Sequence, residues 1–94
     1  MKPDPAFVPR LAKKARLRFD RHSGKHMLVY PERGLVLNDS AAMIAKKCDG
    51  TRTMQQIVDE LAVEANVTAS ERAGLEADVA QFVDALARKG LLEP

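Results

Sequence analysis

From Ala15 to Leu37 apolar residues alternate with polar ones, and from Ala41 to Leu91 they recur every three or four positions. The first period is that of half-buried strands, the second that of amphipathic helices. Leu17 and Phe19 fall on one side of the first strand, Arg16, Arg18 and Asp20 on the other. Arg21-His22-Ser23-Gly24 is a turn cluster, so Lys25–Tyr30 returns as the second arm of a hairpin. Pro31-Glu32-Arg33-Gly34 reads as a second turn, with Pro favoured there and Gly available for positive φ. A third strand then runs from Gly34 to Leu37. Its Leu35-Val36-Leu37 is apolar on both faces, which predicts cover on both. A meander in chain order leaves the first and third strands at the edges. Arginines guard the first edge, and nothing guards the third.

Asn38, Asp39 and Ser40 are candidate caps for a first helix with Ala41, Ile44, Ala45 and Cys48 on one stripe. Lys46 and Lys47 suit its carbonyl end, and Gly50 its left-handed stop. Thr53 and Gln56 form a capping box that opens a second helix, with Met54, Ile57, Val58, Leu61 and Ala62 inward. Its Asp59, Glu60 and Glu64 read as a solvated face. Asn66 reads as its stop, and Thr68 with Glu71 as a second capping box. A third helix follows to about Lys89, with Leu75, Val79, Phe82, Val83 and Leu86 inward; Gly90 ends it and Leu91 folds back on Leu86. Gly74 inside it costs about 1 kcal/mol relative to Ala, for no reason visible in the sequence beyond close packing. The predicted fold is α+β: a three-stranded antiparallel sheet followed by three helices, winged helix-turn-helix-like.

Residues 1–14 form a basic N-terminal arm with prolines at 3, 5 and 9, followed by a domain over 15–94. Phe7, Val8 and Leu11 anchor the arm either on its own core or on another chain. Ninety-four residues make one domain. No apolar run approaches a membrane span or a secretion signal, so a cytoplasmic protein is expected. Residues 1–33 carry nine Lys/Arg against three Asp/Glu, a net of +6, and residues 34–94 carry a net of −4.

That asymmetry weighs against nucleic acid. A winged-helix DNA-binding protein is the alternative function, but its reading helices should be basic. Here the second helix has three acids and no base, which is the wrong sign. Catalytic chemistry fares no better. His22 and His26 lie around a hairpin turn with no third ligand for zinc, and they read as exposed turn residues. Cys48, the single cysteine, lies on an inner stripe with no histidine partner, as a small hydrophobe. No phosphate loop, dinucleotide fingerprint or nucleophile elbow occurs. The expectation is a non-enzyme that needs no cofactor and no metal. What remains is capture of an extended peptide by strand addition at the open third strand, with the third helix as far wall.

RLRFD at Arg16–Asp20, YPE at Tyr30–Glu32, LNDSAAMI at Leu37–Ile44, CDGTRT at Cys48–Thr53, QQIVDELA at Gln55–Ala62 and DVAQFVDAL at Asp78–Leu86 together resemble the PqqD family. The likeness covers about residues 10–92, and Phe19 stands where a larger aromatic is usual. The resemblance implies a RiPP recognition element that binds the precursor peptide PqqA and presents it to the radical SAM enzyme PqqE. It also implies that the peptide lies along the third strand and against the third helix. The expected peptide site is therefore Arg33, Gly34, Leu35, Val36, Leu37 and Asn38, with Leu75, Asp78, Val79 and Phe82 opposite. Arg33 is expected to pair with peptide acids, and the basic face of Arg16, Arg18 and Arg21 to dock the enzyme. The open edge also allows a homodimer, by edge pairing or arm exchange.

Overall fold

Alternation and helical periodicity resolve into β1 (Arg16–Asp20), β2 (Lys25–Tyr30), β3 (Arg33–Leu37), α1 (Asp39–Lys47), α2 (Met54–Glu64) and α3 (Arg72–Arg88). The computed structural model describes residues 4–31 and 33–93. The strands form an antiparallel sheet in the order β1-β2-β3, so β1 and β3 are its edges. Asp20 pairs with Lys25 across the first turn, where Gly24 takes φ +68° and donates its N–H to the Asp20 carbonyl.

The second turn is tighter than predicted. Tyr30 pairs with Arg33, so Arg33 and Gly34 already belong to β3, and Glu32 lies outside the described residues. Gly34 does not have positive φ. It is small because Met27 crosses it: a Cβ there would lie 3.1 Å from Met27 Cε.

Among the described residues, only one face of the sheet is covered by helices. Leu28 and Leu37 are buried on it with Leu17 and Leu35 beside them, against Ala42 and Ala45 of α1, Leu86 of α3 and Leu91. A second cluster joins the helices through Ile44, Met54, Ile57, Leu61, Val79 and Val83. Phe82 packs against both clusters. The predicted cover on both sides of β3 is thus half met. Val36 faces away from the helices and stays 56% exposed, because all three helices lie on the other side. Phe19 departs similarly: it is exposed at the rim and packs against His26 with the rings tilted by 58°, centroids 4.9 Å apart.

The helix ends follow local chemistry. Asn38, of the three candidates, caps α1 by accepting from the Ala41 N–H at 2.7 Å. The Thr53–Gln56 box is complete. Asn66 (φ 55°) and Gly90 (φ 71°) end α2 and α3, with Val67 N–H donating to Ala62 O and Leu91 N–H to Leu86 O. These are Schellman geometries. The Thr68–Glu71 box is not formed as predicted. The Glu71 carboxylate does accept from the Thr68 N–H, but the Thr68 hydroxyl turns to that same carboxylate and leaves the reciprocal bond unmade. A turn intervenes, and α3 starts at Arg72.

The arm lies on its own core. Pro9 is fully buried, Leu11 donates to Cys48 O, and Ala12 to Leu91 O. Phe7 O and Pro5 O accept from Met54 and Gln55, two otherwise orphaned donors at the start of α2. Gly50 (φ 82°) serves this crossing rather than the end of α1, which closes at Cys48; a Cβ on Gly50 would meet Arg10 Cδ at 2.9 Å.

The acids of α2 do more than face solvent. Glu60 receives Lys47 and Arg52, Glu64 receives Lys47, and Asp59 pairs with Arg72. They tie α2 to α1 and to α3. Gly74, by contrast, has no packing role: a Cβ there meets nothing within 4 Å. Gly74→Ala should therefore stabilise the fold by about 0.5–1 kcal/mol. A thermal melt should show the midpoint rising by about 2–8 °C; an unchanged or lower midpoint would show a cost unseen in the packing.

Candidate functional site: the open strand edge and its groove

Strand geometry decides which backbone groups of β3 are free. A two-residue connection closes on a pair that exchanges both hydrogen bonds, and bonded pairs then alternate along an antiparallel ladder. Tyr30/Arg33, Leu28/Leu35 and His26/Leu37 are therefore the bonded pairs of the β2–β3 register. The N–H and C=O of Gly34 and Val36 point the other way, to an edge that no described strand occupies. An unprotected row of this kind is a template for another strand.

Beside that edge β3 and α3 stand apart: no Cα of one comes within 8 Å of the other among the described residues. Between them lies an apolar groove of about 260 Å³. Leu35, Val36, Leu37, Asn38 and Ala41 form one side, Phe82, Ala85, Leu86 and Lys89 the other. Its polar lining residues are Asn38, whose Oδ1 caps α1, and Lys89.

The structure brings Leu35 to Asn38 together with Phe82, as the sequence led us to expect, and sets Arg33 and Gly34 at the head of the same strand. Leu75 and Asp78 do not line this groove. At 100° per residue Ala85, Asp78, Lys89 and Phe82 fall within about 60° of one another, with Leu75 next to Phe82. Leu75 and Asp78 thus extend the same stripe toward the start of α3; Asp78 is exposed and Leu75 half-buried. Val79 is a correction. It has no exposed surface and packs in the helical core, because it sits about 60° around the helix from Phe82, on the inward side. Ala41, Ala85 and Lys89 were missed. The i+3 and i+7 spacings from Phe82 mark the last two, but only the distance of β3 from α3 shows that this stripe stays open.

A larger hollow of about 590 Å³ lies on the other side of α3, where Ala73, Ala77 and Ala80 face Met54 and Pro5. It touches no free sheet edge and none of the expected site residues. The smaller groove is therefore the better candidate, since only there do apolar walls adjoin unpaired strand donors.

Reactive side chains stand away from both hollows. Burial, then the charge of Asp49, pushes the Cys48 thiol up to about 12. Its Sγ donates to Ile44 O at 3.4 Å, so it is a packed hydrophobe. Thiol reagents at pH 8 should label the native protein only through opening, far more slowly than the denatured chain. Immediate stoichiometric labelling of native protein would contradict that burial. His26 sits half-buried in β2 rather than in the turn, where His22 alone is exposed. No group of three His, Cys, Asp or Glu among the described residues can hold a metal ion, and none of their helices is long and apolar enough to cross a membrane.

Comparison with known proteins comes to the same architecture. The sequence model of the family described as coenzyme PQQ synthesis protein D (PqqD) matches residues 25–92. A PqqA binding protein of Xanthomonas euvesicatoria is 40% identical over 84 residues, covering 89% of this chain and 88% of its own. The solution structure of the PqqD truncation of Methylobacterium extorquens PqqCD, described as a functional, stand-alone RiPP recognition element, superposes with a TM-score of 0.80. It is 37% identical, and the match covers 97% of this chain and 94% of that one. TbiB1, solved in complex with the TbiA(β) leader peptide, shares the fold at a TM-score of 0.71 and 22% identity, over 89% of this chain and 94% of its own.

Proposed function

Since the chain belongs to the PqqD family, coenzyme PQQ synthesis protein D, we propose that it binds the precursor peptide PqqA by strand addition and presents it to the radical SAM enzyme PqqE. The observation that carries this reading is the free row of Gly34 and Val36 backbone groups beside an apolar groove. Main-chain bonds to that row give affinity without sequence preference, and side chains entering between Leu35 and Phe82 give selectivity. The PqqA binding protein among its relatives and the leader-peptide complex within its fold support this choice of ligand.

The site spans Arg33 to Asn38 with Phe82, Ala85 and Lys89 opposite, and Leu75 and Asp78 continue it where the peptide runs on toward the start of α3. Arg33, at the head of β3, and Lys89, in the groove lining, suit acidic peptide residues. The contribution to chemistry is positioning. A disordered peptide is held extended, its ordering cost offset by strand pairing, and its local concentration at the enzyme rises. The chain itself is non-catalytic and needs no cofactor; it works in the cytoplasm, where its partners are made. The same edge lets two copies pair at high concentration, so a weak homodimer competes with peptide; a constant mass in sedimentation across concentrations would remove that competition.

Backbone-amide NMR with synthetic PqqA peptide tests the reading. Shift changes should concentrate on Gly34–Asn38 and on the Phe82–Lys89 stretch, and duplex DNA should produce none there. Changes centred on the Ala73–Ala80 hollow would move the site, and saturable shifts with DNA alone would favour the winged-helix alternative.

A further inference from the structure

The peptide edge leaves one surface unexplained, the sheet face turned away from the helices. Across it the register sets Arg18 opposite Met27 and Met27 opposite Val36; the next row is Arg16, Val29 and Gly34. An aliphatic strip therefore runs beside two exposed guanidinium groups, with no helix over it.

Charge on this side is also differently disposed. On the helical side Lys47, Arg52, Arg72 and Arg88 are each in ion pairs. On the outer face none of Arg16, Arg18 and Lys25 has a carboxylate within 4 Å among the described residues. Asp20, the nearby acid, spends its oxygens on His22 N–H and the Ser23 hydroxyl. Uncompensated cations around an aliphatic centre complement an acidic protein surface with an apolar middle. Nucleic acid would use the cations but leave the aliphatic strip idle, and the face offers no aromatic ring for a base; Phe19 and His26 lie on the other side.

The pleat joins this face to the peptide. A strand added beside β3 puts alternate side chains toward the groove and toward the outer face, next to Val36. We propose that the outer sheet face docks an acidic, apolar-centred patch of the peptide-modifying enzyme, and that the enzyme reads the domain and the bound peptide there as one composite surface. This rests on the peptide-binding reading and adds where the second partner sits and why peptide strengthens its attachment.

The test compares wild type with Arg16→Glu/Arg18→Glu and Arg16→Gln/Arg18→Gln in calorimetric titrations with PqqA peptide, and with PqqE in the presence and absence of that peptide. Wild type should bind PqqE more tightly with peptide present, and more weakly as salt rises. The Glu pair should lose about tenfold or more in PqqE affinity while keeping peptide affinity within about twofold; the Gln pair should fall between. Circular dichroism checks folding, and the Gln pair carries the comparison if the Glu pair does not fold. Unchanged PqqE affinity in a folded Glu pair, or PqqE affinity indifferent to peptide, overturns the proposal. So does duplex DNA binding that the Glu pair abolishes while PqqE binding persists. A wild type that fails to bind PqqA sinks the peptide reading and this proposal with it, whereas the other outcomes leave that reading standing.

Discussion

Val36→Pro should weaken PqqA binding by about tenfold or more while leaving the protein folded. The Val36 N–H is directed at the open edge, so replacing it removes no bond of the β2–β3 ladder. Its side chain is more than half exposed, so little packing is lost. What disappears is one donor to the incoming strand, worth about 1 kcal/mol net, and the ring of Pro then stands where the guest backbone must approach. Together these exceed the 1.4 kcal/mol that corresponds to a factor of about ten. Leu35→Pro is the informative contrast. The Leu35 N–H faces Leu28 in a bonded pair of the ladder, so its loss leaves a sheet carbonyl without its donor and should cost about 1–3 kcal/mol of stability. Calorimetric titration together with urea unfolding separates the two. Equal peptide affinity in a folded Val36→Pro protein would remove the β3 edge as the binding site.

Removing residues 1–11 should lower stability by about 3 kcal/mol, and the thermal midpoint by about 12–24 °C. The arm's length and charge suggest a dispensable tail, but its contacts do not. Pro9 is wholly buried and Leu11 packs against both clusters; burying one such side chain contributes about 1.5–3 kcal/mol. Loss of the arm also strips Pro5 and Phe7 carbonyls from the first donors of α2, and the Leu11 bond from Cys48 O. Part of this is offset by the conformational entropy the arm no longer loses on folding. A melt within 3 °C of the intact chain would show that the arm rests on the core without holding it. Peptide affinity at a temperature where the shortened protein is folded should change little, since no described arm residue lines the β3 groove.

The strands and helices were legible because their signals are local. Alternation through Leu17 and Leu28, the Asn38 and Thr53 caps, and Asn66 and Gly90 as left-handed stops all depend on a few neighbours. Where a choice of partners existed, local reasoning failed. Thr68 and Glu71 have the spacing of a capping box, yet the hydroxyl has a better acceptor in the carboxylate than a donor in the backbone. The α2 acids read as solvated because their partners Lys47 and Arg72 belong to other helices. Leu75, Val79 and Phe82 share an apolar stripe, but which edge of it is core and which is groove wall depends on where the sheet lies.

Sequence alone determined that three strands precede three helices, that β3 is an edge without guarding charge, and that the basic residues gather in the first third of the chain. Those follow from chain order, side-chain period and residue type, which need no third dimension. Tertiary structure decided that β3 stands off from α3 to leave a groove, that Val79 is sealed inside while Lys89 reaches the rim, and that the arm is part of the core. Each is a question of which surfaces meet, and burial is shared among residues far apart in the chain. A strand records in its own letters that it can pair, but only the packing of everything else shows whether a place beside it has been kept free.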